Sequence, residues 1–292
     1  MKRLLAIFAH PDDESWGCAG TLAKYSRAGV RCFLLTASCG EAGFDSAHTR
    51  TTDVEERKRT RLEELARAAS IIGLEDFRVL GLPDGRVEHY MDELYSAVAA
   101  ELERLSPSAV ITFDETGITG HADHLAVHRA VTECFPRARK LSPARLFYHI
   151  LPEKAVRSLG VELESARASA ASSEDASIGI DPSQGNSAGT GLLGAETASP
   201  IPKRWQGPPP QRDGSAGPHF VPDDRVDVEI DTADLVEVKL QAIRAHRSQM
   251  RGDSFLDTAP RALVYAMFSK EYYQHVAGPP LGSRPAWDLF ES

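Results

Sequence analysis

Strand-like and helix-like segments alternate through the first half of this sequence. The strand-like segments are short apolar runs, at 4–9, 31–38, 77–80, 109–113 and 145–150. The helix-like segments have apolar residues three or four positions apart, at 17–28, 53–72, 91–105 and 124–135. Strands that alternate with helices form βαβ units, in which helices cover a parallel sheet. The pattern therefore predicts an α/β fold with a Rossmann-like, mostly parallel sheet and helices on both faces.

Composition limits the classes of protein to which the chain can belong. The chain has 292 residues, 42% of them hydrophobic, which is enough for the core of one large domain. Its net charge of -9 at pH 7 argues against nucleic-acid binding. No apolar run reaches the ~18 residues of a membrane span, and the N-terminal run is shorter than the ~7–15 apolar residues of a signal peptide. Four cysteines without a CxxC pair are typical of a reducing compartment. We therefore expect a cytoplasmic protein.

A change of composition divides the chain. Ser, Ala, Gly and Pro dominate from about 165 to 218, and such a segment buries too little apolar surface to offset the entropy of ordering it. Strand-like and helix-like patterns resume at 226–230 and 232–250. The sequence thus predicts a single domain, formed by 1–164 and 219–280, with a mobile or disordered insertion at 165–218. A functional lid is the alternative for the insertion.

The first candidate site follows the first apolar run, where residues 9–14 read AHPDDE. Adjacent carboxylates repel one another and are costly to bury unless a cation compensates them. The second candidate site, GHADH at 120–124, follows the predicted strand at 109–113. Sites in parallel sheets form beyond the carboxyl ends of the strands, so the two clusters can converge. Two histidines and one carboxylate suffice for a catalytic zinc site. The alternative is a pair of solvated polar loops, with the histidines capping a helix.

The two clusters together resemble the motifs of the LmbE-like (PIG-L) family of zinc-dependent N-deacetylases, which act on N-acetylglucosamine-containing substrates. Three further stretches are similar to motifs of that family. They are Arg61-Leu-Glu-Glu64 with Ala68 and Ile72-Gly73, Leu82-Pro-Asp84-Gly85, and Lys239 with Ala242, His246, Ser248 and Gln249. The resemblance covers about residues 1–150 and 226–275.

The resemblance implies a metal site. It makes His10, Asp13 and His124 the ligands of one Zn2+ per chain, with other divalent metals as alternatives. For Glu14, two interpretations stay open: contact with a metal ligand, or a charge at a helix N-terminus.

The resemblance also implies catalytic and substrate-binding roles. Asp12 would be the general base, and His121 would stabilise or protonate the tetrahedral intermediate while Asp123 orients it. Arg61 and Asp84 would contact the substrate; the alternatives are a solvated arginine and a turn aspartate. His246, Ser248 and Gln249 would either support the site or pack their predicted helix.

The implied function is hydrolysis of a linear amide C–N bond, which removes an acetyl group from an amino sugar, N-acetylglucosamine, or its conjugate. An amidase for another N-acyl or thiol-conjugate substrate is one alternative, and a non-catalytic sugar-binding protein is another. The expected partner is a small-molecule amino-sugar conjugate, without nucleic acid or a membrane span. A homo-oligomer is compatible with the sequence.

Overall fold

The computed structural model describes residues 1–43, 53–138, 144–155, 157, 218–250 and 255–290. Its seven described strands are β1 (Arg3–Phe8), β2 (Arg31–Ser38), β3 (Asp76–Leu82), β4 (Ala109–Phe113), β5 (Arg145–Ile150), β6 (Val228–Asp231) and β7 (Lys270–Ala277). Its described α-helices are α1 (Asp13–Gly17), α2 (Ala19–Arg27), α3 (Val54–Ile72), α4 (Met91–Leu105), α5 (Ala122–Cys134), α6 (Val236–Ala245), α7 (Phe255–Thr258) and α8 (Arg261–Phe268).

The seven strands form one sheet in the order β3-β2-β1-β4-β5-β7-β6. The first five are parallel, whereas β7 runs antiparallel to both β5 and β6. The predicted mostly parallel α/β sheet is confirmed. Strand order reverses at β1, which lies between β2 and β4, and this switch point is where ligands bind in open α/β sheets.

The described residues form a single α/β domain. The strands β6 and β7, which follow the predicted insertion in sequence, join the same sheet as β5. Residues beyond the predicted boundary at 280 also pack onto this core, since Ala286 and Leu289 have no exposed surface. The proposed insertion at 165–218 lies outside the described residues, apart from its last position. Its boundaries and its mobility stay predictions.

Local sequence explains where the helices near the site begin and end. The side chain of Asp53 accepts a hydrogen bond from the backbone N–H of Glu55 and so caps α3. That helix ends at Gly73, whose φ of 84° favours glycine. The predicted helix at 232–250 is wrong beyond Ala245, because the backbone leaves the helical region at His246 and continues as a single 3-10 turn. No helix within the described ranges combines the length and the apolar character that a membrane crossing requires.

Candidate metal centre and active site

The two predicted clusters meet at the switch point of the sheet. Residues 9–14 follow β1, and residues 114–124 follow its parallel neighbour β4. His121 is the N-cap residue of α5, and His124 lies in the first turn of that helix. The helix therefore presents both imidazoles towards the end of β1, where His10 lies.

Three side chains converge there on one small volume. Nδ1 of His10 lies 3.2 Å from Nε2 of His124. The carboxylate of Asp13 lies 3.5 Å from His10 Nδ1 and 3.4 Å from His124 Nε2. These are the three residues that the sequence resemblance nominates as metal ligands.

The second nitrogen of each imidazole has an acceptor of its own. His124 Nδ1 donates to the carbonyl of Gly117 at 2.8 Å, which leaves the lone pair of Nε2 directed at Asp13 and His10. His10 Nε2 lies 3.0 Å from the carboxylate of Asp84 and 3.2 Å from that of Asp123. Such outer hydrogen bonds, which fix the tautomer and the ring orientation, are typical of metal-binding histidines.

This donor set fits zinc. Two imidazole nitrogens and one carboxylate form the three-ligand set of catalytic zinc sites, and bonds of ~2.0–2.2 Å in tetrahedral geometry separate ligand atoms by about 3.3 Å. The observed separations of 3.2, 3.4 and 3.5 Å match that spacing. His10 and His124 are 9% and 8% exposed, so a cation there would be held by protein more than by solvent.

Other side chains extend the same cluster. His121 with His10 and His124, and separately Asp84 and Asp123 with His10, also bring ligand atoms within 4.8 Å of one another. His10 is common to both groups, and its Nε2 faces the second of them. We therefore interpret Asp84 and Asp123 as partners that orient His10, rather than as a second metal site.

Asp123 contacts both His10 and His121. Its carboxylate accepts hydrogen bonds from the backbone N–H groups of Gly85 and Val87, at 2.7 and 2.9 Å, and faces His10. Its contact with His121 runs through its backbone N–H, which donates to His121 Nδ1 at 3.1 Å. The Asp123 carboxylate therefore orients His10, because the turn after β3 draws it to that side. The role of Asp123 in orienting His121 stays a prediction.

His121 borders the cluster. Its ring centroid lies 4.8 Å from that of His10 and 5.0 Å from that of His124. Because Nδ1 accepts the N–H of Asp123, the ring proton is held on Nε2. His121 thus offers a hydrogen-bond donor at this edge of the cluster.

The Arg61 guanidinium lies beside Asp12, the nominated base. It donates to the carbonyl of Pro11, and its Nη1 lies 3.6 Å from Asp12 Oδ2. Arg61 is 1% exposed and packs so closely on Gly40 that a Cβ there would overlap the guanidinium. Among the described residues, Nε and Nη1 of Arg61 have no hydrogen-bond partner.

The adjacent carboxyls of Asp12 and Asp13 have opposite electrostatic environments. Burial raises the pKa of Asp12 to about 6, although Arg61 opposes the shift. Burial would also raise the pKa of Asp13, but the neighbouring His124 and His10 outweigh it and hold that pKa well below its usual value. Neighbouring carboxyls with separated pKa values divide naturally into a proton acceptor and a permanent anion.

Comparison with known proteins finds a family model that matches part of the chain. The model of the PIG-L family, described as GlcNAc-PI de-N-acetylase, matches residues 5–135. That range contains both clusters and Arg61. This chain contains a PIG-L family domain.

Similarity to individual relatives extends beyond the PIG-L match. The 1D-myo-inositol 2-acetamido-2-deoxy-alpha-D-glucopyranoside deacetylase of Salinispora arenicola is 26% identical over 301 residues, covering 95% of this chain and 85% of the relative. The enzyme of that name from Mycobacterium sp. (strain JLS) is 27% identical over 314 residues, covering 98% of this chain and 87% of its own.

Two solved structures share the fold. The N,N'-diacetylchitobiose deacetylase of Pyrococcus horikoshii has a TM-score of 0.58 at 20% identity, covering 94% of this chain and 84% of its own. The 4-carboxy-2-hydroxymuconate hydratase of Pseudomonas putida KT2440 has a TM-score of 0.59 at 16% identity, covering 98% of this chain and 100% of its own. Because the two enzymes catalyse different reactions, this fold does not by itself define the chemistry.

Residues outside the PIG-L match also reach the site. His246 Nε2 lies 2.9 Å from the carboxylate of Glu14, and the side chain and backbone N–H of Ser248 both donate to Glu64, at 2.6 and 2.8 Å. Burial would lower the pKa of His246, but the Glu14 carboxylate outweighs it and raises that pKa above its ordinary value. Glu14 therefore contacts the C-terminal part of the chain.

Sequence reasoning assigned no role to Glu64 and did not consider Glu271, which pairs with Lys239 at 2.5 Å. For Glu64 a signal was present. It lies three positions after Arg61, so both charges lie on one face of α3, and that face is buried.

Proposed function

We propose that this chain is a zinc-dependent N-deacetylase that removes the acetyl group from the amine of an amino-sugar conjugate, with N-acetylglucosamine as the sugar. The observation that carries the proposal is the convergence of His10 Nδ1, His124 Nε2 and the Asp13 carboxylate within 3.5 Å. The PIG-L match and the names of the relatives support the substrate class.

In this proposal the three converging side chains hold the metal, and Asp123 and Gly117 orient the two imidazoles. A bound zinc ion would polarise the amide carbonyl and make the attacking water more acidic. Zinc is preferred over magnesium because the donors include two imidazole nitrogens, whereas magnesium prefers oxygen ligands.

Asp12 takes the proton from the attacking water and later transfers it towards the leaving amine. A base with a pKa of about 6 is largely ionised at neutral pH, and can still pass the proton on. The Arg61 guanidinium, 3.6 Å from Asp12 Oδ2, limits the rotation of that carboxylate. Arg61 is buried, which supports this role in addition to the substrate contact that the resemblance implies.

His121 stabilises the oxyanion that develops from the amide carbonyl. The bond from Asp123 N–H to His121 Nδ1 favours the tautomer with a proton on Nε2, which can donate to that oxygen. Of the two roles that the resemblance implies for His121, stabilisation is therefore better supported than protonation. The Asp84 carboxylate lies 3.0 Å from His10 Nε2 and accepts the backbone N–H of Ala42 at 2.6 Å. A sugar hydroxyl bound there would share the carboxylate with these two groups.

The test combines metal analysis with an amine-release assay. Purified protein is analysed for bound metal, then loaded with zinc and incubated with 1-O-(2-acetamido-2-deoxy-glucopyranosyl)-inositol, N,N'-diacetylchitobiose and free N-acetylglucosamine. We expect about one zinc per chain and release of primary amine from at least the first compound. An N-acyl thiol conjugate of glucosaminyl-inositol tests the amidase alternative. Zinc-loaded protein that releases no amine from any of the four would contradict a hydrolase.

A further inference from the structure

Asp12 has an unusual backbone conformation. Its φ is 127° with ψ at -27°, a region that residues other than glycine rarely adopt. Conformations of this kind persist only where the surrounding structure imposes them. The carbonyl of Asp12 accepts hydrogen bonds from the N–H groups of Ser15 and Trp16, as expected at the start of a helix. The N–H of Asp12 donates to Glu14 Oε2 at 3.0 Å.

Glu14 therefore fixes the backbone of Asp12 through this hydrogen bond, and it has no exposed surface. A buried carboxylate needs partners to stay ionised. Its other oxygen, Oε1, accepts from Ser15 Oγ at 2.6 Å and from His246 Nε2 at 2.9 Å. His246 is 1% exposed, and its Nδ1 has no hydrogen-bond partner within the described parts of the chain. Its Nε2 is thus directed at Glu14 and Ser15.

The segment that carries His246 is fixed from the opposite side. Ser248 donates to both oxygens of Glu64, which belongs to α3. One turn earlier on that helix, Arg61 contacts the carbonyl of Pro11 and the carboxylate of Asp12. The short turn after α6 therefore contacts both groups that hold Asp12. One is the Glu14 carboxylate, which accepts the N–H of Asp12, and the other is α3, whose Arg61 lies beside the Asp12 side chain.

We propose that His246 is a positioning residue that acts on Asp12 through Glu14, holding the nominated base in its strained conformation. This inference rests on the proposed function, because it assigns Asp12 a role in the reaction. It also accounts for the break after Ala245. The 3-10 turn that follows α6 places His246 against Glu14 and Ser248 against Glu64.

The opposing interpretation is a buried ion pair that only stabilises the fold. Two neutral substitutions separate the interpretations. In His246→Gln the amide nitrogen can take the place of Nε2 and donate to Glu14, whereas in His246→Asn the shorter side chain falls short of it. The matched control is Glu271→Gln, which weakens the buried pair of Glu271 with Lys239, a residue of α6, without touching Asp12.

For zinc-loaded protein we expect His246→Asn to lower kcat by about 10- to 100-fold, with KM changed by less than about threefold and the metal content unchanged. His246→Gln should recover most of this loss. Glu271→Gln should lower Tm at least as much as His246→Asn while keeping the kcat of the parent protein. Equal kcat in the Asn and Gln variants, or a loss in the Glu271 control as large as that in His246→Asn, would overturn the positioning role.

A second readout does not need the reaction. Crystal structures of the two His246 variants should show Asp12 out of the positive-φ region in His246→Asn and within it in His246→Gln. An unchanged Asp12 conformation in His246→Asn would overturn the inference even if activity fell. If the parent protein proved to release no amine, the proposed function would fail, whereas this comparison would still test the link from His246 to Asp12.

Discussion

The carboxylate of Asp123 lies 3.2 Å from Nε2 of His10, on the side of the imidazole opposite His124 and Asp13. Two backbone N–H groups, those of Gly85 and Val87, hold the carboxylate there. An anion at Nε2 keeps the ring proton on that nitrogen and leaves Nδ1 free to bind a metal. The relationship couples the β4 motif to the β1 motif through one hydrogen bond.

Substitution of Asp123 should therefore weaken metal binding. In Asp123→Asn one of the two carboxylates at His10 Nε2 is lost and that of Asp84 remains, so we expect zinc affinity to fall by about 10-fold. The measurement is a competition titration with a chromogenic chelator. His121→Ala is the comparison, because it removes a neighbouring ring and should leave zinc affinity nearly unchanged while lowering turnover. Parent-like affinity in Asp123→Asn would mean that its carboxylate does not support His10.

The ligand assignment makes a stronger prediction for His124. Removal of its imidazole in His124→Ala takes away one of three ligands, so most of the bound zinc should be lost while the chain stays folded. His128→Ala is the matched control. It lies one turn later on α5, and its Nδ1 donates to the carbonyl of Phe113 at 3.0 Å rather than facing His10. Metal analysis and circular dichroism of both variants make the check, and full zinc retention in His124→Ala would exclude it as a ligand.

The base can be separated from the ligands. Asp12→Asn keeps the shape of the side chain but cannot accept a proton, so kcat should fall by about 100-fold or more with zinc still bound. Single-turnover amine release, measured on protein of known zinc content, tests this. Near-parent turnover with a full complement of metal would assign proton transfer to another group.

The fold was predictable because its information is local and periodic. The alternation of β1 to β5 with helices, the cap at Asp53 and the stop at Gly73 can all be read from neighbouring residues. The break after Ala245 could not, because no glycine or proline marks the end of α6. The structure ends that helix where His246 and Ser248 reach Glu14 and Glu64, partners that lie 232 and 184 residues away along the chain.

The candidate site was likewise predictable only where its information is local. The nominated ligands lie in two short motifs that can be found in the sequence. The pairing of β1 with β4 then brings the two motifs together. The partner of the Asp123 carboxylate depends instead on the turn after β3, whose Gly85 and Val87 draw that carboxylate towards His10. The family resemblance made His121 the expected partner of Asp123. The contact with His10 was not predictable, because it depends on tertiary hydrogen bonds to the Asp123 carboxylate.

The last prediction concerns stability, at a residue outside the proposed chemistry. Burial lowers the pKa of His149 to about 4, and the nearby Lys239 adds to the shift. At a pH between about 4 and ~6.5, the imidazole is therefore neutral in the folded protein, whereas in the unfolded chain, with a pKa near ~6.5, it binds a proton. The stability that His149 contributes is complete above pH ~6.5, declines as the pH falls, and is lost below about pH 4, for a total of about 3 kcal/mol.

The test compares urea unfolding of the parent protein with that of His149→Phe at several pH values between 7 and 4. The free energy of unfolding of the parent should fall more steeply in this window, because the phenylalanine cannot bind a proton and the other acid-titrating groups are common to both proteins. A different ring in the core shifts the whole curve of the variant by a constant amount, so the difference in slope is the quantity that counts. Parallel curves across the window would show that His149 is already protonated, or already solvated, in the folded protein.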